Sequence, residues 1–173
     1  MKDERLIFYR SISTNSEIYY SHVDGIEDAV EWIGLFEFEN EQKKERLGIT
    51  NKGVWIIENR NGIYLLDVFK NYLYCMSILE LPAQFIIEEI QNKFENSVEK
   101  HSICALFPFY EILEFALSNM KDDYWFELAM MWYEILEDGE KKKLESFLLA
   151  ICENKKFSQK NRQTAYNKIK LLQ

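Results

Sequence analysis

The sequence predicts an α+β fold, with an N-terminal antiparallel sheet and one or two helices, followed by a C-terminal helical layer of two αα-hairpins. Three observations support this fold class. Strand-like runs lie before Pro82, apolar residues recur at helical spacing after it, and the last third repeats itself at a shift of 36 residues. We therefore expect a β-rich half over residues 1–100 and a helical half over 101–173, sharing one continuous core.

The composition limits the class of protein. A chain of 173 residues with 47 % hydrophobic and 15 % aromatic residues can bury a core, so it is not expected to be disordered. No apolar run approaches the roughly 20 residues of a membrane span, and the charged start "MKDERLIFYR" is unlike a signal peptide. Cys75, Cys104 and Cys152 fit reduced core cysteines. These features predict a cytoplasmic protein that does not associate with membranes.

The first forty residues predict two strands and a helix. "RLIFYRSI" and "EIYYSHV" are β-branched and aromatic runs separated by the turn cluster "STNS". "DGIEDAVEWIGLFEF" then changes period, with Asp24 and Glu27 forming a capping box and Ile26, Ala29, Val30 and Ile33 on one helical face. "NEQKKERLGITNKG" is interpreted as a solvated connection.

The segment "GVWIIENRNGIYLLDVFKNYLYCMSI" carries the clearest strand signal. Two apolar runs flank "NRNG", where Asn61-Gly62 tolerates the positive φ of a tight hairpin turn. "YLYCMSI" is expected to be a third strand. Because both faces of these strands are apolar, at least one strand should be covered on both sides.

Five helices are predicted after Pro82. The first carries Ala83, Ile86, Ile87, Ile90 and Phe94 inward, and Pro108 opens the second. Asp122 or Asp123 caps the third, and Ser158 caps the last. A shift of 36 residues places Asp122 on Ser158, Ala129 on Ala165 and Leu136 on Leu172, which resembles a pair of HEAT-like repeats.

Five aromatic residues lie in the third helix, "KDDYWFELAMMWYEIL". A buried stripe is expected to contain Trp125, Leu128, Ala129, Trp132, Ile135 and Leu136. Tyr124 and Met131, with Phe126 and Met130, fall toward the flanks of that stripe. Together with Asp123 and Glu127, Tyr124 could form a rim that binds a partner protein.

No set of residues carries a catalytic or cofactor signature, so we expect no enzyme activity, no cofactor and no metal. His101 and Cys104 have H-x-x-C spacing, but no second pair completes the four ligands of structural zinc. His22 and Asp24 could act as a base and its orienting acid, yet no nucleophile stands in an elbow context. A polar strand end followed by a helix cap explains them better.

The net charge of −8 is unevenly distributed. An acidic run from Glu27 to Glu45 is either a solvated face or a patch for a basic partner, with Glu31, Glu37, Glu39 and Glu41 as its candidate contacts. Residues 141–173 carry nine basic and two acidic residues. That basic tail could bind nucleic acid, but it could equally balance the acidic helix before it, and we expect no nucleic-acid binding.

The C-terminal third resembles the helical segment of some bacterial immunity proteins, which neutralise toxins of interbacterial (polymorphic or contact-dependent) competition systems. The residues that match a "YW…LAL.W" helix are Tyr124, Trp125, Leu128, Ala129 and Trp132. Ser158, Gln159, Lys160 and Arg162 match a following "SQKTR" helix, with Asn161 intervening. The resemblance implies a small, acidic, cytoplasmic protein that binds one toxin tightly and catalyses nothing.

The function that these observations favour is that of a protein-binding inhibitor, an immunity protein for a cognate toxin. A basic, nuclease-like toxin suits an acidic surface, because complementary potential speeds encounter. The alternative is a regulatory or scaffold module acting on an endogenous partner. An enzyme using His22 or His101 is the third possibility.

Overall fold

A computed structural model describes residues 2–40, 43–93, 100–119 and 121–172. The chain divides into two units, one of Met1–Ser77 with Gln84–Phe107, the other of Ile78–Ala83 with Pro108–Gln173. The predicted α+β class is confirmed, with an antiparallel sheet preceding a helical region. The expectation of one continuous core stays a prediction. Within the described residues, no helix has both the length and the apolar character needed to cross a membrane.

The first unit consists of a five-stranded antiparallel sheet in the order β1-β2-β3-β4-β5, with helices before and after it. The strands are β1 (Ile18–Ser21), β2 (Val30–Asn40), β3 (Lys43–Thr50), β4 (Trp55–Asn59) and β5 (Gly62–Leu65). The helices are α1 (Lys2–Ser13), a 3₁₀ helix (Phe69–Glu80) that runs on into the second unit, α2 (Ala83–Lys93) and α3 (Lys100–Leu106). The hairpin predicted at "NRNG" is confirmed, with Asn59 paired to Gly62.

Both faces of strand β4 are covered, as the sequence predicted for at least one strand. Trp55, Ile56 and Ile57 in β4 are fully buried. On one face, the Trp55 indole packs against the rings of Phe8 and Phe107, at centroid distances of 6.3 and 5.1 Å. On the other face, Ile56 joins a small cluster with Val23 and Trp32.

Three predictions about the first forty residues are wrong. "RLIFYRSI" lies in helix α1, where Phe8, Tyr9 and Ile12 are buried at helical spacing. Asp24 and Glu27 form no capping box, because residues 24–29 are a loop in which Gly25 has φ of +83°. The predicted helix is instead strand β2, in which buried Phe36 and Phe38 alternate with exposed glutamates.

Two further elements also differ from the prediction. "KKERLGIT" is strand β3 and not a solvated connection, because Lys44 and Arg46 lie on its more exposed face while Leu47 and Ile49 on the other face are fully buried. "YLYCMSI" lies in the 3₁₀ helix and not in a strand, with Tyr72, Cys75 and Met76 buried. Burial raises the pKa of the Cys75 thiol, as expected of a core cysteine, whereas Cys152 is half-buried.

The second unit consists of two stacked helical hairpins, as predicted. Its helices are α4 (Phe109–Asn119), α5 (Asp123–Tyr133), α6 (Asp138–Lys143), α7 (Glu145–Glu153) and α8 (Gln159–Lys170). Helix α4 packs on α5 and α7 on α8, while α4 also contacts α7 and α5 contacts α8. The short helix α6 between the hairpins was not predicted.

The 36-residue repeat is present in the structure. Asp122 is the N-cap of α5 and accepts a hydrogen bond from the Trp125 amide, and Ser158 caps α8 in the same way. Ala129 and Ala165 are both fully buried, since each lies where two helices approach closely. Leu113 and Leu149 are related by the same 36-residue shift. Their surroundings match less well, because Leu149 is 47 % exposed.

The aromatic stretch is mainly core, but the buried stripe is wider than predicted. Trp132 is 1 % exposed, donates from Nε1 to the Leu81 carbonyl at 2.8 Å, and meets the Phe109 ring edge-on. Phe126 and Met130, predicted to lie at the flanks, are buried, while Trp125 is only half-buried. Helix α5 is covered on one side by residues 78–83 and on the other by the second hairpin, which explains the extra burial.

We expect Trp132→Ala to lower the free energy of unfolding by roughly 3–5 kcal/mol, because it leaves a large cavity and an unpaired carbonyl. Trp125→Ala should cost clearly less, since this side chain already meets solvent. Urea denaturation of both variants measures the difference. Equal losses would contradict the burial difference.

Gly48 gives a second expectation about stability. A Cβ atom there would lie 2.4 Å from both the Trp32 ring and the Ile33 carbonyl oxygen. Gly48→Ala should therefore destabilise the first unit by about 1–3 kcal/mol, as overpacking does. Gly139→Ala is the matched control, because a Cβ at that helical position meets nothing within 4 Å and should leave stability unchanged or slightly raised. Denaturation of the two variants measures both stabilities, and equal stabilities would contradict this expectation.

Candidate functional site

The predicted contact Glu31 is part of a hydrogen-bonded group in the first unit. In β2 it lies opposite Tyr20 of β1. Its carboxylate accepts hydrogen bonds from the hydroxyls of Tyr9 at 2.5 Å and Tyr20 at 3.3 Å. Burial and the bond to Glu31 raise the pKa of Tyr9. Glu31 therefore joins helix α1 to the sheet, in addition to any role at the surface.

Glu37 is already paired with cations of the neighbouring strand. Its carboxylate forms ion pairs with Lys44 and Arg46 in β3, and Arg46 also reaches Glu58 in β4 at 2.9 Å. The hydrogen bonds from Lys44 and then Arg46 lower the pKa of Glu37. Glu39 is exposed opposite Lys44, and Glu41 lies outside the described residues. Glu37 therefore joins β2 to β3 and is a weak candidate for the main contact with a partner.

The predicted contacts in α5 are occupied within the second unit. Asp123 accepts hydrogen bonds from the Ser158 amide at 3.0 Å and from Asn161 Nδ2 at 2.8 Å. Glu127 pairs with Lys160 at 2.9 Å. The Tyr124 hydroxyl donates to Glu80 at 2.5 Å, although the side chain is 53 % exposed. These residues fasten the two hairpins and residue Glu80 together.

The basic tail is also paired with the acidic helix before it. Besides the Glu127–Lys160 pair, Lys168 of α8 pairs with Glu134 at the end of α5. Lys141 and Lys168 also lie over the Tyr133 ring, within 6 Å of its centroid. These contacts favour charge balance between the stacked helices as the role of these lysines.

A groove in the first unit is the candidate functional site. It has a volume of about 530 Å³ and lies between the loop at residues 25–29, the turn after β3 and the end of β5. We call it the acidic groove, and its rim carries Glu27, Asp28, Glu31, Asp67 and a single cation, Lys52. Its apolar lining comes from Ile26, Ala29, Val30, Val54 and Leu65.

Local backbone geometry shapes the walls of the acidic groove. Gly25 adopts positive φ and the Ile26 amide donates to the Val23 carbonyl at 3.0 Å, which turns the loop outward. On the opposite wall, the Thr50 hydroxyl accepts hydrogen bonds from the amides of Lys52 and Val54. Both walls are therefore held by bonds within the chain and exist before any ligand binds.

Three carboxylates on the rim carry charge that the chain does not compensate. Glu27, Asp28 and Asp67 are exposed, and within the described residues none of them forms an ion pair or a side-chain hydrogen bond. They differ in this respect from Glu37, Asp123 and Glu127. Lys52 is the one cation among the described residues of the lining, so the groove is suited to a cationic side chain whose apolar stem contacts Ile26 and Leu65.

Sequence reasoning missed the acidic groove because it assigned residues 24–38 to a helix. Asp24-Gly25 is a turn dipeptide, and that signal could have placed Ile26, Glu27 and Asp28 in a loop. Asp67 could not have been found, because it reaches the groove only through the hairpin of β4 and β5. Among the residues that the structure describes, the lining contains no histidine, cysteine or serine, and His22 is exposed outside it. Across the described ranges, no group of three or more His, Cys, Asp or Glu residues could hold a metal ion.

The hydrogen bonds of Asp123 predict that the stability of the second unit depends on pH. Hydrogen bonds from the Ser158 amide and then Asn161 lower its pKa in the folded chain. Its contribution to stability is therefore complete above the unfolded value, about 3.9, and is lost as the pH falls through the lowered folded pKa. We expect Asp123→Asn to lower the melting temperature at pH 7. The difference in melting temperature between the variant and the unsubstituted chain should narrow below about pH 4.

Hydrogen exchange at the Ser158 amide gives an independent measure, since that amide should lose protection in the variant. Glu153→Gln, at an exposed acid in α7, is the control and should show neither effect. A difference in melting temperature that stays constant from pH 7 to pH 3 would show that the ionised Asp123 carboxylate makes no pH-dependent contribution to stability.

Comparison with known proteins gives no match: no protein-family model, no curated protein and no solved structure is similar to this chain.

Proposed function

We propose that this chain is a non-catalytic, protein-binding inhibitor: an immunity protein that neutralises a basic, nuclease-like toxin. The observation that carries the proposal is the acidic groove, whose rim has four carboxylates and one lysine. A basic segment of the toxin would place a lysine or arginine between Glu27, Asp28 and Asp67. Binding there, with the chain covering the toxin's active site or substrate groove, would block the toxin without any chemical step.

The uncompensated charge supports this proposal physically. Several carboxylates around one concave surface focus a negative potential, which attracts a basic protein and orients it during encounter. Such complementarity acts mainly on the association rate and on the choice of partner. An inhibitor that must capture a toxin before the toxin reaches its target benefits from fast association.

The ion pairs between α5 and α8 are an argument against nucleic-acid binding. Lys160 and Lys168 are paired with Glu127 and Glu134, so they are less available to phosphates. We propose that the partner is a protein and that the chain uses neither nucleic acid nor a cofactor.

A triple charge reversal in the acidic groove tests the proposal. Glu27→Lys, Asp28→Lys and Asp67→Lys together should slow association with the toxin encoded beside this gene by at least about tenfold at low salt, with a smaller change in dissociation. Stopped-flow or biolayer measurements at two salt concentrations give both rates. Co-expression with the toxin should protect cells, and the reversed variant should protect them less.

The matched control is Asp3→Lys, Glu88→Lys and Glu153→Lys, which changes net charge equally at exposed sites outside the groove. If both triple variants slow association equally, net charge matters and the groove does not. If the neighbouring gene encodes no toxin and expression protects cells from none, the immunity function is wrong. The alternative of a regulatory or scaffold module acting on an endogenous partner would then take its place.

A further inference from the structure

A second groove in the first unit adjoins the acidic groove and is mainly apolar. It has a volume of about 480 Å³. We call it the apolar groove, and its apolar and aromatic lining consists of Val23, Ile63, Tyr64, Val68, Leu73 and Tyr74. Leu73 is 52 % exposed and Val68 46 % exposed, so large apolar side chains face solvent here. Such a cluster bordered by polar residues marks an interaction surface.

The two grooves share their walls. Gly25 lines the acidic groove and its bonded neighbour Asp24 lines the apolar one. Likewise, Asp67 lines the acidic groove and its neighbour Val68 lines the apolar one. The grooves therefore adjoin at two places along the chain, which brings them within reach of a single bound segment.

The wall of the apolar groove is held rigidly by side-chain hydrogen bonds to the backbone. Asn71 Nδ2 donates to the Leu65 carbonyl at 2.8 Å, and Asn59 Nδ2 donates to the Tyr74 carbonyl at 3.2 Å. The Tyr64 and Tyr74 rings stack with centroids 3.5 Å apart and planes 7° apart. A ligand would meet a preformed surface, so little ordering free energy opposes binding.

We propose that the two grooves together receive one continuous segment of a partner protein, in which a lysine or arginine stands beside a large apolar or aromatic residue. The basic side chain lies in the acidic groove, and its neighbour packs on Val68, Leu73 and the stacked tyrosines. The inference rests on the proposed function and adds the chemical character of the toxin segment that is recognised.

The charges around both grooves select a basic segment. Asp24 lines the apolar groove, while Asp67, Glu27 and Asp28 line the acidic one. Lys52 and Lys70 are the cations of the two linings. Carboxylates at this density repel a phosphate backbone, so the occupant is a peptide and not a nucleic acid.

Two labelled synthetic peptides test the proposal on the full chain. Both are short and rich in lysine and arginine; one has a central tryptophan and the other a serine in its place. Fluorescence anisotropy should show that the tryptophan peptide binds at least about tenfold more tightly, because the indole buries apolar area that serine lacks. Leu73→Ser should reduce that preference to less than about threefold. Leu171→Ser, at a residue 81 % exposed in the second unit, is the control and should leave the preference unchanged.

Equal affinities for the two peptides, no binding of either, or a preference unaffected by Leu73→Ser would overturn the inference. Toxin measurements separate it from the proposed function. If the chain prefers the tryptophan peptide through Leu73 but protects cells from no toxin, the paired grooves stand and the immunity function falls. If the chain protects cells and Leu73→Ser alters neither peptide nor toxin binding, the function stands and the paired grooves fall.

Discussion

The first unit depends on one carbonyl group, that of Leu106 at the end of α3. It accepts hydrogen bonds from the Trp55 indole at 2.8 Å and from Arg5 Nε at 2.7 Å. A strand, the first helix and a helix distant in sequence therefore meet at one buried acceptor. Because an unsatisfied buried carbonyl is costly, replacing both donors would cost more stability than the loss of either hydrogen bond alone. The sheet that this point secures is also the support for both grooves.

Two groups of acidic residues have different roles. One group is satisfied within the chain: Glu37 across the sheet, and Asp123, Glu127 and Glu134 toward α8. The other group, Glu27, Asp28 and Asp67, is held on a loop and a strand end where the described residues supply them with no cation. Part of the uncompensated charge of this acidic composition is thus concentrated at one groove of the first unit. The electrostatic argument for a basic partner depends on this location and gains little from the net charge of −8.

The sequence predicted the helical region well, because Asp122, Ser158 and the buried alanines follow simple capping and spacing rules. It predicted the sheet poorly. The spacing of Phe8, Tyr9 and Ile12 favours a helix, whereas the aromatic residues of the same run favour a strand. The two signals therefore conflict in this segment. In β3, four consecutive charged residues hid the strand, since Lys44 and Arg46 are explained by ion pairs with Glu37 and Glu58 on the neighbouring strands. The acidic groove combines residues from three separate turns, and no local pattern announces such a combination.

The 36-residue repeat has a consequence for the length of the helical stack. In the first hairpin, Phe126 and Glu127 contact Phe157 and Lys160 of the second. One repeat later, the same positions are Arg162 and Gln163, and Lys170 stands where Glu134 would recur. A third hairpin copied from the second would bring its own lysines toward these residues and would meet positive charge and no apolar ring. The face of α8 after the second hairpin therefore lacks the acidic and aromatic contacts with which α5 holds α8.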